Sequence, residues 1–203
     1  MGIRRRSILY GIGTAAADGG ASAGAAGYTF AVLDAERLDR APICALRGRA
    51  AKFRDRLAQG YGCVGYLDDK GIVRSYVWIA GGKGRPVEVP VWRGLRWQLP
   101  EGNVYFWDCR TDAAHEGRGL YRSALRLAAA QAAQDGMPAA WIESEVGNAA
   151  SDRGIQAAGF APVVQIDAWH FLSVTFWRAG AGLPRLACGP VRLSAVCGVA
   201  SRQ

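Results

Sequence analysis

The spacing of apolar and polar positions changes several times along this chain, and each change marks an element. Around residue 34 the period becomes helical: Leu33 and Leu38, then Leu46, Ala50, Phe53 and Leu57, recur at helical steps. Pro42 divides this stretch into two helices, and Gly60 ends the second. Residues 63–67 and 72–79 are β-rich runs joined by Asp68-Asp69-Lys70-Gly71, a hairpin signal. A loop is expected over 81–90, a strand over 91–99, a turn at Pro100-Glu101-Gly102 and an aromatic strand over 103–111. Leu120, Ala124, Leu125, Ala128 and Ala132 share one face of a helix running from about 119 to 135, with Gly136 and Pro138 as stop signals. Residues 140–146 alternate as a strand, Asn148 or Ser151 caps a short helix that Gly159 terminates, and 160–178 is again strand-like. Beyond Ala179 no pattern assigns an element, and no internal repeat is visible.

Length and composition bound the possibilities. A chain of 203 residues fits one domain with a full core. No uninterrupted apolar run reaches the roughly 18 to 20 residues of a membrane span. The net charge of +8 is almost wholly arginine, with lysine only at 52, 70 and 83. Such a surface suits anionic ligands, although enrichment in Arg, Ala and Gly is also a habit of some genomes. A nucleic-acid binder would interleave aromatics with arginine on one exposed face, whereas most of the seven tryptophans fall in apolar strands, so no nucleic-acid partner is expected. Five cysteines (44, 63, 109, 188 and 197) with no Cys-x-x-Cys spacing, beside two histidines, argue against a metal site or a disulfide framework and for a reducing, cytoplasmic setting.

The first 27 residues read differently. Arg4-Arg5-Arg6-Ser7-Ile8-Leu9, then a small-residue stretch and Ala21-Ser22-Ala23, have the outline of an export signal of the twin-arginine kind. Its apolar centre is short, glycine-rich and cut by Asp18. The expectation is therefore a disordered basic leader over 1–27, or a misplaced start, followed by a folded domain over 28–180 and an unassigned tail over 181–203.

The segment most suggestive of chemistry is His115-Glu116-Gly117-Arg118-Gly119-Leu120-Tyr121, a glycine-rich turn between the aromatic strand and the long helix. Glycines let backbone approach a ligand, and the unpaired N–H groups at a helix start attract anions, so the turn is a place for a phosphate. Arg118 and Arg122 add positive charge. A dinucleotide fold would want Gly-x-Gly-x-x-Gly after an early strand, and a P-loop would want Gly-Lys-Ser/Thr; neither is present.

The order strand, glycine-rich turn, helix, strand, Asn148-Ala-Ala-Ser151, helix and Gly159-Phe160 resembles the acyl-CoA-binding half of the GNAT acetyltransferase superfamily. The resemblance covers about 60 residues well and about 140 loosely. It implies an α/β fold, a mixed and mainly antiparallel central sheet flanked by helices, and transfer of an acetyl or other short acyl group from acetyl-CoA to an amine of a small-molecule acceptor by direct attack. In that family the turn binds the pyrophosphate largely through main chain, which carries over to Gly117, Arg118, Gly119, Leu120 and Tyr121. Glu116 stands where the family has Arg or Gln, and is expected to face solvent; Tyr121 stands in a position the family keeps small. Cys109, Arg110 and Thr111 match the strand whose main chain holds the pantetheine arm, and Asn148 and Ser151 match polar contacts that could equally be helix caps. Asp108, and Glu143 or Glu145, are candidate general bases where two strands splay apart; strand alternation places Asp108 opposite Trp107 and Cys109. Many members carry a proton-donating Tyr four residues before the Gly of the Gly-Phe pair; Ile155 stands there, leaving Tyr121, Tyr105 or solvent as the donor. The helix-face arginines at 47, 49, 54 and 56, with Lys52, read as a solvated face, or as a surface for an acidic acceptor or an acyl carrier protein. A homodimer is possible; a CoA-binding or protein-interaction module without turnover is the alternative that Glu116 and Ile155 favour, and transfer of a longer acyl chain from an acyl carrier protein is another.

Overall fold

The computed structural model describes residues 2–14, 25–40, 50–82, 87–181, 185–187, 189–193 and 196. In chain order the elements are β1 (Ile3–Gly13), β2 (Thr29–Val32), α1 (Ala35–Arg40), α2 (Ala50–Ala58), β3 (Gly62–Leu67), β4 (Val73–Gly81), β5 (Val87–Trp92) and β6 (Leu95–Leu99). They continue with β7 (Asn103–Thr111), a 3-10 turn (Ala113–His115), α3 (Leu120–Gln134), β8 (Ala139–Glu145), α4 (Ala149–Ala157), β9 (Ala161–Phe171), β10 (Val174–Ala179), β11 (Arg185–Leu186) and β12 (Val191–Arg192).

Nine strands form one sheet in the order β11-β10-β9-β1-β8-β7-β4-β3-β2, and β12-β6-β5 form a smaller one. Every neighbouring pair in the large sheet is antiparallel except β7 with β8. The mixed, mainly antiparallel sheet flanked by helices is the architecture that the family resemblance implied. Helix α3 lies on one face: Ala124, Leu125, Ala128 and Ala129 are fully buried and pack with Phe106, Ile142 and Phe160. Alanines on that stripe let the helix axis approach the strands closely. The other face is covered in two places. The small sheet sets Val89, Trp97 and Leu99 against Leu9, Tyr105 and Trp177, and α2 sets Phe53 against Tyr76 and Trp78.

Four expectations are corrected. Residues 3–13, expected within a disordered leader, form β1 near the middle of the sheet, paired with β8 on one side and β9 on the other. Leu9 and Tyr10 are fully buried, so this segment offers the core the apolar surface that a disordered leader lacks. The strand expected over 91–99 is a hairpin, β5 and β6, turning at Arg93-Gly94, both at positive φ, and β5 begins at Val87 inside the loop expected over 81–90. The single strand expected over 160–178 is β9 and β10, reversing at Leu172. Past Ala179, β11 and β12 each add a short strand, one to each sheet. Pro42, Leu46, Arg47 and Arg49 lie outside the described residues.

Candidate active site

The central strand β7 is where two clefts meet. It runs beside β8 only from Asn103 opposite Ala139 to Phe106 opposite Ile142. Past that point β8 continues its pairing with β1, while β7 continues with β4. The two parallel strands therefore part company in mid-sheet. Just past the parting, Trp107 pairs with Trp78 and Arg110 with Tyr76, so Asp108 and Cys109 together oppose Val77. This is a β-bulge, and Asp108 adopts φ 42°, a left-handed conformation that aspartate tolerates better than most residues.

The first cleft, of about 840 Å³, opens on the side of the glycine-rich turn. Cys109, Arg110 and Thr111 form one wall, the turn from His115 to Arg122 the floor, and Asn148, Ser151 and Gly154 of α4 the far wall. Gly117 and Gly119 have φ of 74° and 76°, so a residue with a Cβ would be strained at either place. Gly119 is the N-cap of α3, whose 15 residues direct their N-terminal N–H groups toward the cleft. The turn is anchored from below: Asp112 accepts from the Ala114 amide and from Arg74, and the Tyr28 hydroxyl and His115 Nδ1 share a 2.7 Å hydrogen bond. Arg74 also reaches Asp68; it is the main cause that lowers the Asp112 pKa, while the Ile72 amide, Arg74 and the Lys70 amide together outweigh burial and lower that of Asp68. Glu116 is exposed.

Asn148 caps α4 by accepting from the Ser151 amide, which confirms the capping alternative while leaving both side chains in the cleft wall. Tyr121 lies across α4: a Cβ on Gly154 would come within 2.6 Å of its ring. A glycine inside a helix is the sequence signal of such a close approach. The Tyr121 hydroxyl is 3.3 Å from Ser151 Oγ. Burial, with the nearby Cys109 thiol, pushes its pKa well up, so it holds its proton at neutral pH. Ile155, one residue beyond Gly154, is fully buried in the core and faces no cleft.

The second cleft, of about 620 Å³, opens where the strands part. Tyr105, Trp107, Asp108 and Arg110 of β7, Glu143 of β8 and Arg5 of β1 line its depth; Lys52, Arg56 and Tyr61 belong to α2 and its end. Glu143 has a side chain only 4 % exposed and faces Arg5 at 3.1 Å, with Trp97 Nε1 and the Tyr105 hydroxyl donating to it at 3.3 and 3.4 Å. Burial raises the Glu143 pKa above its ordinary value, and Arg5 with the three hydrogen-bond donors Ser7, Trp97 and Tyr105 offsets only part of that rise. Such a carboxylate is a better proton acceptor than one in water.

Asp108 has a different setting. Arg56 donates to it at 2.7 Å, Arg110 lies at 3.4 Å and Lys52 at 3.9 Å. Arg56, expected on a solvated face, is 8 % exposed: its guanidinium lies 4.1 Å from the Trp107 ring centre and 5.0 Å from that of Trp78. Strand alternation had set Asp108 opposite Trp107; the bulge brings both to Arg56. Glu145 ends β8 in an exposed position, away from either cleft. Thus the structure gathers Cys109, Arg110, Thr111, Gly117, Arg118, Gly119, Leu120, Tyr121, Asn148 and Ser151 into one cleft, sets Asp108 in the other, and leaves Glu145 outside both. Arg5 and Arg56 were missed as site residues, since nothing local in the sequence connects them to β7.

No protein-family model matches the sequence, and no curated protein matches it either. Solved structures do match. The tandem GNAT protein from the clavulanic acid biosynthesis pathway superposes with a TM-score of 0.55 at 17 % identity, covering 92 % of this chain and 54 % of its own. A GNAT-family acetyltransferase of Colwellia psychrerythraea gives 0.55 at 14 %, covering 85 % and 57 %. A putative GNAT acetyltransferase from Novosphingobium aromaticivorans gives 0.54 at 15 %, covering 81 % and 63 %. This chain spans a little over half the length of these solved chains. Its fold is the GNAT fold.

Proposed function

We propose that the protein transfers an acetyl or other short acyl group from acyl-CoA to an amine of a small molecule. The observation that carries the reading is the pair of clefts meeting at the β7 bulge. One has a floor suited to phosphate, the other a buried proton acceptor, and they share Arg110. In this reading the amides around Gly117 and Gly119, with Arg118 and Arg122, hold the pyrophosphate, and Asn148 and Ser151 contact the arm leading from it. The pantetheine lies along Cys109, Arg110 and Thr111, where a bulge frees backbone groups from the ladder to hold it and polarise the thioester carbonyl.

The amine enters from the second cleft and attacks the carbonyl carbon. Glu143 takes the proton the amine loses, directly or through a water. As the C–S bond breaks, the leaving thiolate takes its proton from solvent or from Tyr121, which lies beside Gly154 and which its raised pKa makes a reluctant donor. Glu143 fits the base better than Asp108, which is engaged by three cations, or Glu145, which is outside the cleft. Cys109 is no nucleophile here: burial and the adjacent Asp108 raise its thiol pKa far above neutrality, and His115 and His170 share their Nδ1 hydrogen bonds with Tyr28 and Thr175.

Acetyl-CoA should raise the melting temperature, because a ligand of the folded state adds RT ln(1 + [L]/Kd) to stability. Gly119→Asp should abolish the shift by placing a side chain and a negative charge at a left-handed position where phosphate approaches. Folded wild-type protein that shows no shift with CoA or any short acyl-CoA would overturn the reading.

A further inference from the structure

We propose that the acceptor amine carries an anionic group, which the rim of the second cleft holds through Lys52 and Arg110. The inference rests on the reading of that cleft as the acceptor site, and it names the acceptor's chemistry.

Four cations line the cleft, Arg5, Lys52, Arg56 and Arg110, against three carboxylates, Asp55, Asp108 and Glu143. Two of the cations are held in place, although the Arg5 Nε is buried without a hydrogen-bond partner. Arg5 bonds Glu143 and the Val91 carbonyl, and Arg56 is held by Asp108 between two indole rings. Lys52 and Arg110 are left to share the Asp108 carboxylate that Arg56 already holds at its shortest contact, and they lie farther from it, at 3.9 and 3.4 Å.

Their exposures, 57 % and 50 %, put both heads in water at the mouth of the cleft. Exposed pairs at such distances add little to folding stability, so stability does not explain why three cations surround one carboxylate. An anion arriving at the mouth would draw Lys52 and Arg110 away from Asp108, which keeps its 2.7 Å bond to Arg56. Deeper in, the wall is Tyr105, Trp107 and the buried Glu143. A molecule with an amine at one end and a carboxylate or phosphate at the other matches this order of surroundings: amine toward Glu143, anion toward Lys52 and Arg110.

The test is direct binding, so it does not depend on turnover. N-acetyl derivatives of the common L-amino acids would be titrated beside their C-terminal amides, and N-acetylglucosamine 6-phosphate beside N-acetylglucosamine, each with free and CoA-saturated protein. At least one anionic compound should bind about tenfold or more tightly than its neutral counterpart. Lys52→Gln should reduce that ratio severalfold while leaving CoA affinity unchanged. A carboxylate or a phosphate as the preferred group is read from which pair shows the difference.

Neutral compounds binding as tightly as anionic ones, or a ratio unmoved by Lys52→Gln, would overturn the proposal. So would CoA binding with no affinity for any of these compounds, which leaves the cofactor reading intact. Anion-selective binding without CoA binding would do the reverse: the cleft assignment stands and the acyl-transfer reading falls. Binding of neither overturns both.

Discussion

The two clefts on either side of β7 are built from the chain in opposite ways. The cleft beside the glycine-rich turn comes from two nearly continuous stretches, 109–122 and 148–154. The other collects Arg5 from β1, α2 and its end, Pro90 and Val91 from β5, a stretch of β7 and Glu143 from β8. A local turn shows itself in spacing and glycine placement. A site assembled from five separate segments shows itself only once the sheet order is known. The first cleft should accordingly survive changes to distant elements, and the second should fail with any of them.

Removing residues 1–13 should have the largest effect. The deletion takes out a strand with neighbours on both sides, along with Leu9 and Tyr10. We expect loss of cooperative thermal unfolding by circular dichroism. A truncated protein that melts like the full chain would mean that β1 is dispensable and that the second cleft needs no distant strand.

Arg56→Ala comes next. Removing one partner of a largely buried pair leaves Asp108 without its shortest contact and empties the slot between Trp78 and Trp107, at a cost of about 3 kcal/mol in denaturant unfolding. Arg56→Lys should recover only part, because an ammonium lacks the planar face that lies on the indoles. Acetyl-CoA affinity should change little in either variant, since Arg56 lies outside the first cleft.

Glu143→Gln should lower kcat/KM by about a hundredfold, with acetyl-CoA binding retained. In the wild type kcat/KM should rise with pH and level off above the raised Glu143 pKa; the variant should lose that limb. Stability moves the other way. The folded chain binds this proton more tightly than the unfolded chain, so between the ordinary value of 4.5 and the raised one stability falls as pH rises. Pairing the pH profile of activity with that of unfolding separates a base from a merely structural carboxylate.

The smallest change is expected for Tyr121→Phe, about tenfold in kcat, because a CoA thiolate leaves tolerably without a donor. Ile155→Tyr should not restore the rate. Ile155 is fully buried, and enlarging it overpacks the core at a cost of about 1 to 3 kcal/mol.

How much the sequence disclosed follows the same division. Gly117, Gly119, Asn148 and Gly159 announce turn and caps through backbone requirements that act over a few residues, and α3 shows a helical stripe from Leu120 to Ala132. The strand β1 was misread for a physical reason. Its three arginines and its glycines at 11 and 13 imitate a leader, whereas its buried positions, Ser7, Leu9 and Tyr10, have meaning only against partners far along the chain. The position of Asp108 was misjudged because alternation assumes an unbroken ladder, and the bulge breaks it. Arg56 followed the arginines of its helix face in the pattern, yet two tryptophans from different strands give it a buried place.

The placement of β1 also bears on how the protein is made. β1 emerges from the ribosome long before the strands it pairs with, β8 and β9: Arg4 meets Asp167 across 163 positions. Until β8 and β9 are synthesised, Ile8, Leu9 and Tyr10 have no sheet to join, and a lone apolar strand is prone to pair with other nascent chains. Arg4, Arg5 and Arg6 immediately precede that apolar triplet. Their mutual repulsion between copies would keep the waiting strand from joining another of its kind, and later Arg4 and Arg5 bond Asp167 and Glu143 once those residues arrive. Slow folding with a late closing step is the kinetic signature of such a topology.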